Sequence, residues 1–324
     1  MNTRYFALIG LVLFAYIIIS VGPASIIATL FSMNVFYLAA AVALSLISVF
    51  FRSVKWKMTI EANGMRYGYK SSFTSWLAGF FSGLLTPGRL GDLTRSLYLR
   101  SDKNTLGRSI STVVVDRFFD ILILFAFGAV ASVLFAFIFG RQIFDVFIIA
   151  ALGVFFVAAF YLMTRKGAVK AVFRPIMNVV LPDAYKTKAK MTFNDFYDSL
   201  AVMKKRKGKL ALANAIGVMG WVFDVAFTYV LALSLSINAP FYFMFIVLPI
   251  INILEILPVS ISGIGTRDAA LIFLFSFIGI GTEAAVAFSI VFLVFGLWFF
   301  GLIGGLIFLR NPVDISIYKQ EEVA

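Results

Sequence analysis

Residues 257–270 read L-P-V-S-I-S-G-I-G-T-R-D-A-A, from Leu257 to Ala270. The stretch lies between two apolar runs and interrupts them with Pro258, Ser260, Ser262, Gly263, Gly265, Thr266, Arg267 and Asp268. In a bilayer, backbone leaves the helix only where protein or a water-filled cavity satisfies its N–H and C=O groups. A broken apolar helix here therefore predicts a cavity. Leu85 to Leu99, L-T-P-G-R-L-G-D-L-T-R-S-L-Y-L, repeats the pattern: apolar helix, then Pro87, Gly88 and Gly91, then Asp92 and Arg95 opening a second apolar half. Paired Gly/Pro interruptions in two halves of a chain point to a transporter-type binding site.

Outward from these two breaks the chain is mostly apolar. Of its 324 residues, 61% are hydrophobic and 14% charged, against roughly 25% charged in soluble domains. Tyr5 to Val21 and Thr112 to Phe139 are continuous apolar runs, long enough for helices and without the alternation of a membrane β-barrel. The fold class expected is an all-α polytopic membrane protein. Cysteine and histidine are absent, which removes disulfides, Cys/His zinc sites, haem on those ligands and His-dependent triads. Neither a cofactor nor a metal is expected. The net charge of +12 sits in loops beside apolar runs, so anionic lipid is the expected partner and nucleic acid is not.

Charge and length place about six transmembrane helices: Tyr5 to Val21, Val35 to Phe51, Ser109 to Phe139, Ile143 to Met163, Leu210 to Leu235, and one opened by Glu283 and ended at Arg310. The first is read as a true span and not a cleaved signal. Ser72 to Leu85 reaches only about 21 Å, and Leu90 to Leu99 is too short and too charged to cross alone. Ser72 to Arg100 is therefore read as a re-entrant helical hairpin entering from the cytoplasm, and Phe241 to Ile280 as a second one entering from outside. The basic loops Arg52 to Lys70 and Arg165 to Lys209 are cytoplasmic by the positive-inside rule, and both termini lie with them. These readings give one integral domain, 1–324, in the cell membrane. It is an inverted repeat of about 1–140 and about 141–310. Within the basic segment 165–209, Met191, Phe193, Phe196, Tyr197, Leu200 and Met203 recur at helical spacing, as in an amphipathic helix lying on the anionic cytoplasmic leaflet.

Arg89, Arg95, Arg117 and Arg267 fall at membrane depth, where each costs about 2.5–3.5 kcal/mol unless paired or hydrated. Asp92, Asp116, Asp120 and Asp268 neighbour them in sequence. Either these charges form internal ion pairs or they hold a substrate, and for Asp116, Arg117 and Asp120 both readings stay open. Arg89, Arg95 and Arg267 lie beside helix breaks, where free N–H groups already favour an anion, and arginine suits a bidentate phosphate contact. Ser260, Ser262 and Thr266 either bond a head group or cap the second half-helix. Gly88, Gly91, Gly263 and Gly265 either admit close helix approach or serve unwound backbone beside Pro87 and Pro258. Glu255 and Asp224 are lone intramembrane carboxylates, read as proton-coupling sites or as partners of a buried arginine.

Together, L-T-P-G-R-L-G-D-L-T-R, V-V-D-R-F-F-D at Val114 to Asp120, and L-P-V-S-I-S-G-I-G-T-R-D-A-A resemble the flippase-like membrane domain of lysylphosphatidylglycerol synthases and its stand-alone prokaryotic relatives. The resemblance covers essentially the whole chain. Arg89 stands where glycine is commoner in that family, and Asp92, Asp116 and Asp268 stand where glutamate is usual. The resemblance implies lipid translocation between leaflets, with a role for some members in handling polyprenyl-phosphate glycolipids. It does not imply synthesis of lysyl-lipid, because the soluble aminoacyl-transferase part of the fused synthases has no counterpart among these residues.

The expected function is thus a flippase-like transporter, and not an enzyme, moving an anionic-head-group lipid or a polyprenyl-phosphate glycolipid between leaflets. Arg95 and Arg267 would hold the head group, with Arg89 as a third donor. The alternatives are a membrane glycosyl or phosphoryl transferase on lipid carriers, which needs clustered carboxylates and a metal, and a scaffold docking a partner through 165–209.

Overall fold

The computed structural model describes residues 3–99, 104–141, 146–171, 175, 182–256 and 263–311, and those in regular structure are helical. Leu257, Pro258, Ser260 and Ser262 lie outside the described residues. The elements are α1 (Thr3–Val21), α2 (Pro23–Phe31), α3 (Val35–Ala62), α4 (Tyr69–Leu84), a 3₁₀ arm (Pro87–Leu99), α5 (Leu106–Phe139), α6 (Val146–Thr164), α7 (Asp183–Lys205), α8 (Lys207–Ser234), α9 (Phe241–Ile256), α10 (Thr266–Ser276) and α11 (Thr282–Arg310). Four of these, α3, α5, α8 and α11, are long and apolar enough to cross a membrane, or five if α1 and α2 form one broken span bent by 80°. α6 and α9 are apolar but shorter.

Local sequence explains the boundaries. Asn34 caps α3 by accepting from the Phe36 N–H at 3.0 Å, and Thr105 caps α5 through the Arg108 N–H at 3.4 Å, each satisfying a donor that the first turn leaves free. α5 stops at Gly140, whose φ of 64° is the left-handed cap that glycine adopts without cost. The connector expected after Val21 is instead helical: Pro23 opens α2 at its first position, where its missing N–H is no loss.

Two hairpins organise the middle and the end of the chain. In the first, a Cβ on Gly79 would sit 2.9 Å from Arg95 Cβ, one on Gly83 would sit 2.4 Å from Asp92 Oδ1, and one on Gly91 would sit 2.0 Å from the Ser82 carbonyl oxygen. That register folds α4 and the 3₁₀ arm back on each other about Pro87. α4, with 16 residues, spans about 24 Å at 1.5 Å per residue. The arm, with 13 residues, is kinked at Gly88 and Arg89, whose φ are positive, and residues 90–99 beyond the kink reach about 20 Å at the 3₁₀ rise of 2.0 Å. That covers most of the length of α4. In the second hairpin Phe243 and Phe275 meet with ring centroids 5.8 Å apart, and Gly263 packs on Glu255, so α9 and α10 are also antiparallel neighbours.

α3 differs from the sequence reading. It runs eleven residues past Phe51, to Ala62, so Arg52 to Ala62 is helix and not loop. Gly217 and Gly220 of α8 face the stems of Lys55 and Arg52, and small residues at such a crossing let two helices approach closely. Phe51 stacks on Phe223 beside them at 5.4 Å.

α7 is helical as expected, but its apolar face lies on protein. Gly107 of α5 faces the Thr192 carbonyl, Ser111 and Ser199 hydroxyls are 2.6 Å apart, and the Tyr197 hydroxyl donates to the Met163 carbonyl at 2.8 Å. Met203 is buried beside Ala62 and Val115. The exposed residues of α7 include Lys190, Lys204 and Lys205, together with Asp183, Tyr185, Met191, Asp198 and Val202.

Candidate functional site

Helix α3 carries Ser45, Ser48, Arg52, Lys55 and Thr59 at three- and four-residue intervals, and all five are buried or half-buried. This polar stripe faces α5 and α8. Lys55, 1% exposed, places its ammonium 3.1 Å from Asp116 Oδ1 and 2.7 Å from Asp120 Oδ1. Asp116 also holds Arg95 at 2.7 Å, whose guanidinium lies over the Trp56 ring. Arg117 reaches Asp92 at 2.6 Å. Arg52 pairs with Asp224 of α8 and sits over Trp221.

The two hairpins meet through charge. Arg89, at the turn of the first, places Nη2 2.8 Å from Oε2 of Glu255 on the last turn of α9. Arg267, at the start of α10, lies 3.6 Å from the other oxygen of the same carboxylate and donates from Nε to the Ser289 hydroxyl at 2.9 Å. Gly88 and Arg89 both hold positive φ, 62° and 55°, a conformation that costs a side chain-bearing residue about 1–2 kcal/mol. Such strain concentrates at functional sites.

Two cavities adjoin this network. The larger, about 310 Å³, is walled by apolar side chains that include Leu124, Phe118, Phe156 and Phe160. The smaller, about 70 Å³, is lined by Ser45, Ser48, Trp76, Asp224 and Glu255 among others. Arg52, Arg89, Arg117 and Asn252 line both. These four side chains form a septum between an apolar chamber and a smaller one lined by polar and apolar side chains alike. Pockets that are mostly apolar with a few convergent polar groups are the usual form of a small-molecule site.

The remaining sequence candidates fall elsewhere. Arg95 and Arg267 are 1% and 0% exposed and are not among the described residues lining either cavity; they sit in buried ion pairs. Asp92 and Asp120 line the apolar chamber beside Arg117. Asp268 accepts from the Gly265 N–H at 2.7 Å, capping α10 in the manner of an N3 carboxylate. The Thr266 hydroxyl bonds the Gly263 carbonyl at 3.2 Å. Gly263 and Gly265 have φ of 74° and 82°, and Gly91 donates its N–H to the Thr86 hydroxyl at 2.6 Å. Pro258, Ser260 and Ser262 lie outside the described residues.

Sequence reasoning did not single out Arg52, Lys55 and Asn252. The first two were legible as part of the three-and-four stripe on α3, whereas Asn252 carries no such signal.

A family model described as the lysylphosphatidylglycerol synthase TM region matches residues 7–304. The chain belongs to that family. Within the lysylphosphatidylglycerol synthase TM-region family it is similar to a UPF0104 membrane protein of Methanocaldococcus jannaschii, at 28% identity over 82% of each chain. It is also similar to one of Pyrococcus horikoshii, at 23% identity over 85% of this chain and 87% of that one. A third, from Methanothermobacter thermautotrophicus, is 21% identical over 91% of each. The match takes in both hairpins, the polar stripe of α3 and all four septum residues.

Proposed function

We propose that this membrane protein is a flippase-like carrier that moves a lipid with an anionic head group between leaflets. The observation that carries the reading is the septum: three guanidiniums, 17–26% exposed, at the floor of an aromatic-walled cavity. Arginine forks suit phosphate or carboxylate oxygens, and apolar walls suit the first part of an acyl or prenyl chain. An open apolar groove between α5 and α6 offers a place for more of the chain. Arg52, Lys55, Arg89, Arg95, Arg117 and Arg267 are joined to Asp92, Asp116, Asp120, Asp224 and Glu255, which keeps the septum cations in place for a head group.

In this reading the head group rests on Arg52, Arg89 and Arg117, while Arg95 and Arg267 hold the site together. The two hairpins are re-entrant halves of an inverted repeat in the cell membrane, the termini lie in the cytoplasm, and the outward lysines of α7 face the anionic leaflet. A lipid-carrier transferase ranks below the carrier, because Asp116 and Asp120, the carboxylates that would gather a metal, both contact the Lys55 ammonium. Leaflet exchange of a fluorescent phosphatidylglycerol in proteoliposomes tests the proposal. Wild type should exchange the probe, and Arg117→Gln, checked for folding by size exclusion, should lose at least about tenfold in rate. Exchange no faster than in protein-free liposomes, or unchanged in the variant, overturns it.

A further inference from the structure

Each septum arginine is held by a carboxylate from a different element: Arg52 by Asp224 of α8, Arg117 by Asp92 of the 3₁₀ arm, and Arg89 by Glu255 of α9. The third pair is unlike the others. Glu255 has a second cation, Arg267, at 3.6 Å on its other oxygen, so it keeps a charged partner when Arg89 turns away. Its carboxylate is 1% exposed, whereas Arg89 is 20% exposed and lines both chambers. Arg89 is therefore the member that an incoming anion reaches without stranding a buried charge. Removing one partner of a buried pair is otherwise strongly unfavourable.

We infer that the septum is an exchange site for a phosphate group, in which the phosphate takes Arg89 from Glu255, Glu255 settles on Arg267, and the ion pair joining the two hairpins opens. This rests on the carrier reading above and adds a mechanism to it: occupancy of the site releases one hairpin from the other. The carboxylate competes with the ligand for the same guanidinium, so the resting state is closed and ligand affinity is lowered by the fraction of Arg89 held in the pair. The strained backbone at Gly88 and Arg89 aims the guanidinium at Glu255 and leaves the turn without regular helix on which to lock.

The test uses the full chain in nanodiscs of phosphatidylcholine, titrated calorimetrically with dihexanoyl phosphatidic acid and, separately, with inorganic phosphate. Phosphatidic acid should bind wild type. Arg89→Gln should weaken binding at least about tenfold, and Glu255→Gln should strengthen it about tenfold, since the competitor is gone; Arg66→Gln, at an exposed site elsewhere, should change nothing. Weaker or unchanged binding by folded Glu255→Gln overturns the exchange. Because that variant alters the surroundings of Arg267, a second measurement keeps residues 89 and 255 native. Spin labels at Leu85→Cys and Phe273→Cys, both exposed in this cysteine-free chain, report the spacing of the hairpins. Saturating phosphatidic acid should shift the distance distribution, and an unchanged distribution overturns the proposal. Inorganic phosphate binding as tightly as the lipid would uphold the exchange site while removing the lipid reading. No binding by either probe would remove the exchange site and leave leaflet exchange to decide the carrier.

Discussion

Arg89 Nη2 lies 2.8 Å from Glu255 Oε2, which places the turn of one hairpin against the last helical turn leading into the other, 166 residues along the chain. Arg89 makes this contact from a left-handed backbone, φ 55°. Two opposing terms therefore meet in one residue: an ion pair that stabilises and a conformation that glycine would hold without strain.

Comparing Arg89→Gly with Arg89→Ala separates them. Both variants lose the pair, but only alanine keeps the strain, so the glycine variant should be more stable by about 1 kcal/mol. Thermal unfolding in detergent checks the difference. Equal midpoints would mean that the turn relaxes in both.

Asp116 and Asp120 sit four residues apart and both touch Lys55, yet their loss should differ. Asp116→Ala removes the carboxylate that holds the buried Arg95 and leaves Lys55 with Asp120, and should cost about 3–5 kcal/mol or prevent folding. Asp120→Ala leaves Lys55 its contact with Asp116 and should cost about 1.5–3 kcal/mol. The ranking is read from detergent-solubilised yield and melting temperature.

Close approach within the first hairpin makes Gly91 intolerant of any side chain. Gly91→Ala puts a methyl 2.0 Å from the Ser82 carbonyl oxygen, so folded protein should fall sharply on size exclusion. Gly153→Ala on α6 meets nothing within 4 Å and should be neutral or stabilising by up to about 1 kcal/mol.

The docking of α7 should yield to one substitution. A Cβ on Gly107 would lie 2.1 Å from the Thr192 carbonyl oxygen, so Gly107→Ala should lift α7 from α5. Tryptic cleavage at its lysines should then be several-fold faster than in wild type, while Gly153→Ala should leave that rate alone.

The helical fold and the place of the first break were legible because Pro87 and Gly88 stop an apolar run in any context. The existence of buried charge pairs was legible for a similar reason: four arginines in apolar sequence need partners. Which carboxylate meets which arginine was not, since Arg89 finds Glu255 and Arg117 finds Asp92 only after distant helices pack. The end of α3 was misread because Arg52, Lys55, Lys57 and Glu61 look like a solvated loop when counted by charge. Read by spacing, Arg52 and Lys55 continue the stripe begun by Ser45 and Ser48. Arg95 and Arg267 drew attention as the arginines of the motifs, but exposure, not motif membership, separates a cation that lines a cavity from one sealed behind it.

The 3₁₀ geometry of Pro87–Leu99 also fixes which of its side chains stand in line. With three residues per turn, Asp92, Arg95 and Tyr98 fall on a single straight edge, whereas in an α-helix the same three would fan through about 120°. That edge delivers Asp92 to Arg117, Arg95 to Asp116 and the Tyr98 hydroxyl to the Asn311 carbonyl at 3.1 Å. A polar period of three in an otherwise apolar segment is thus the signature by which such a rail is recognised, and inserting one residue between Gly91 and Asp92 would derail all three contacts at once.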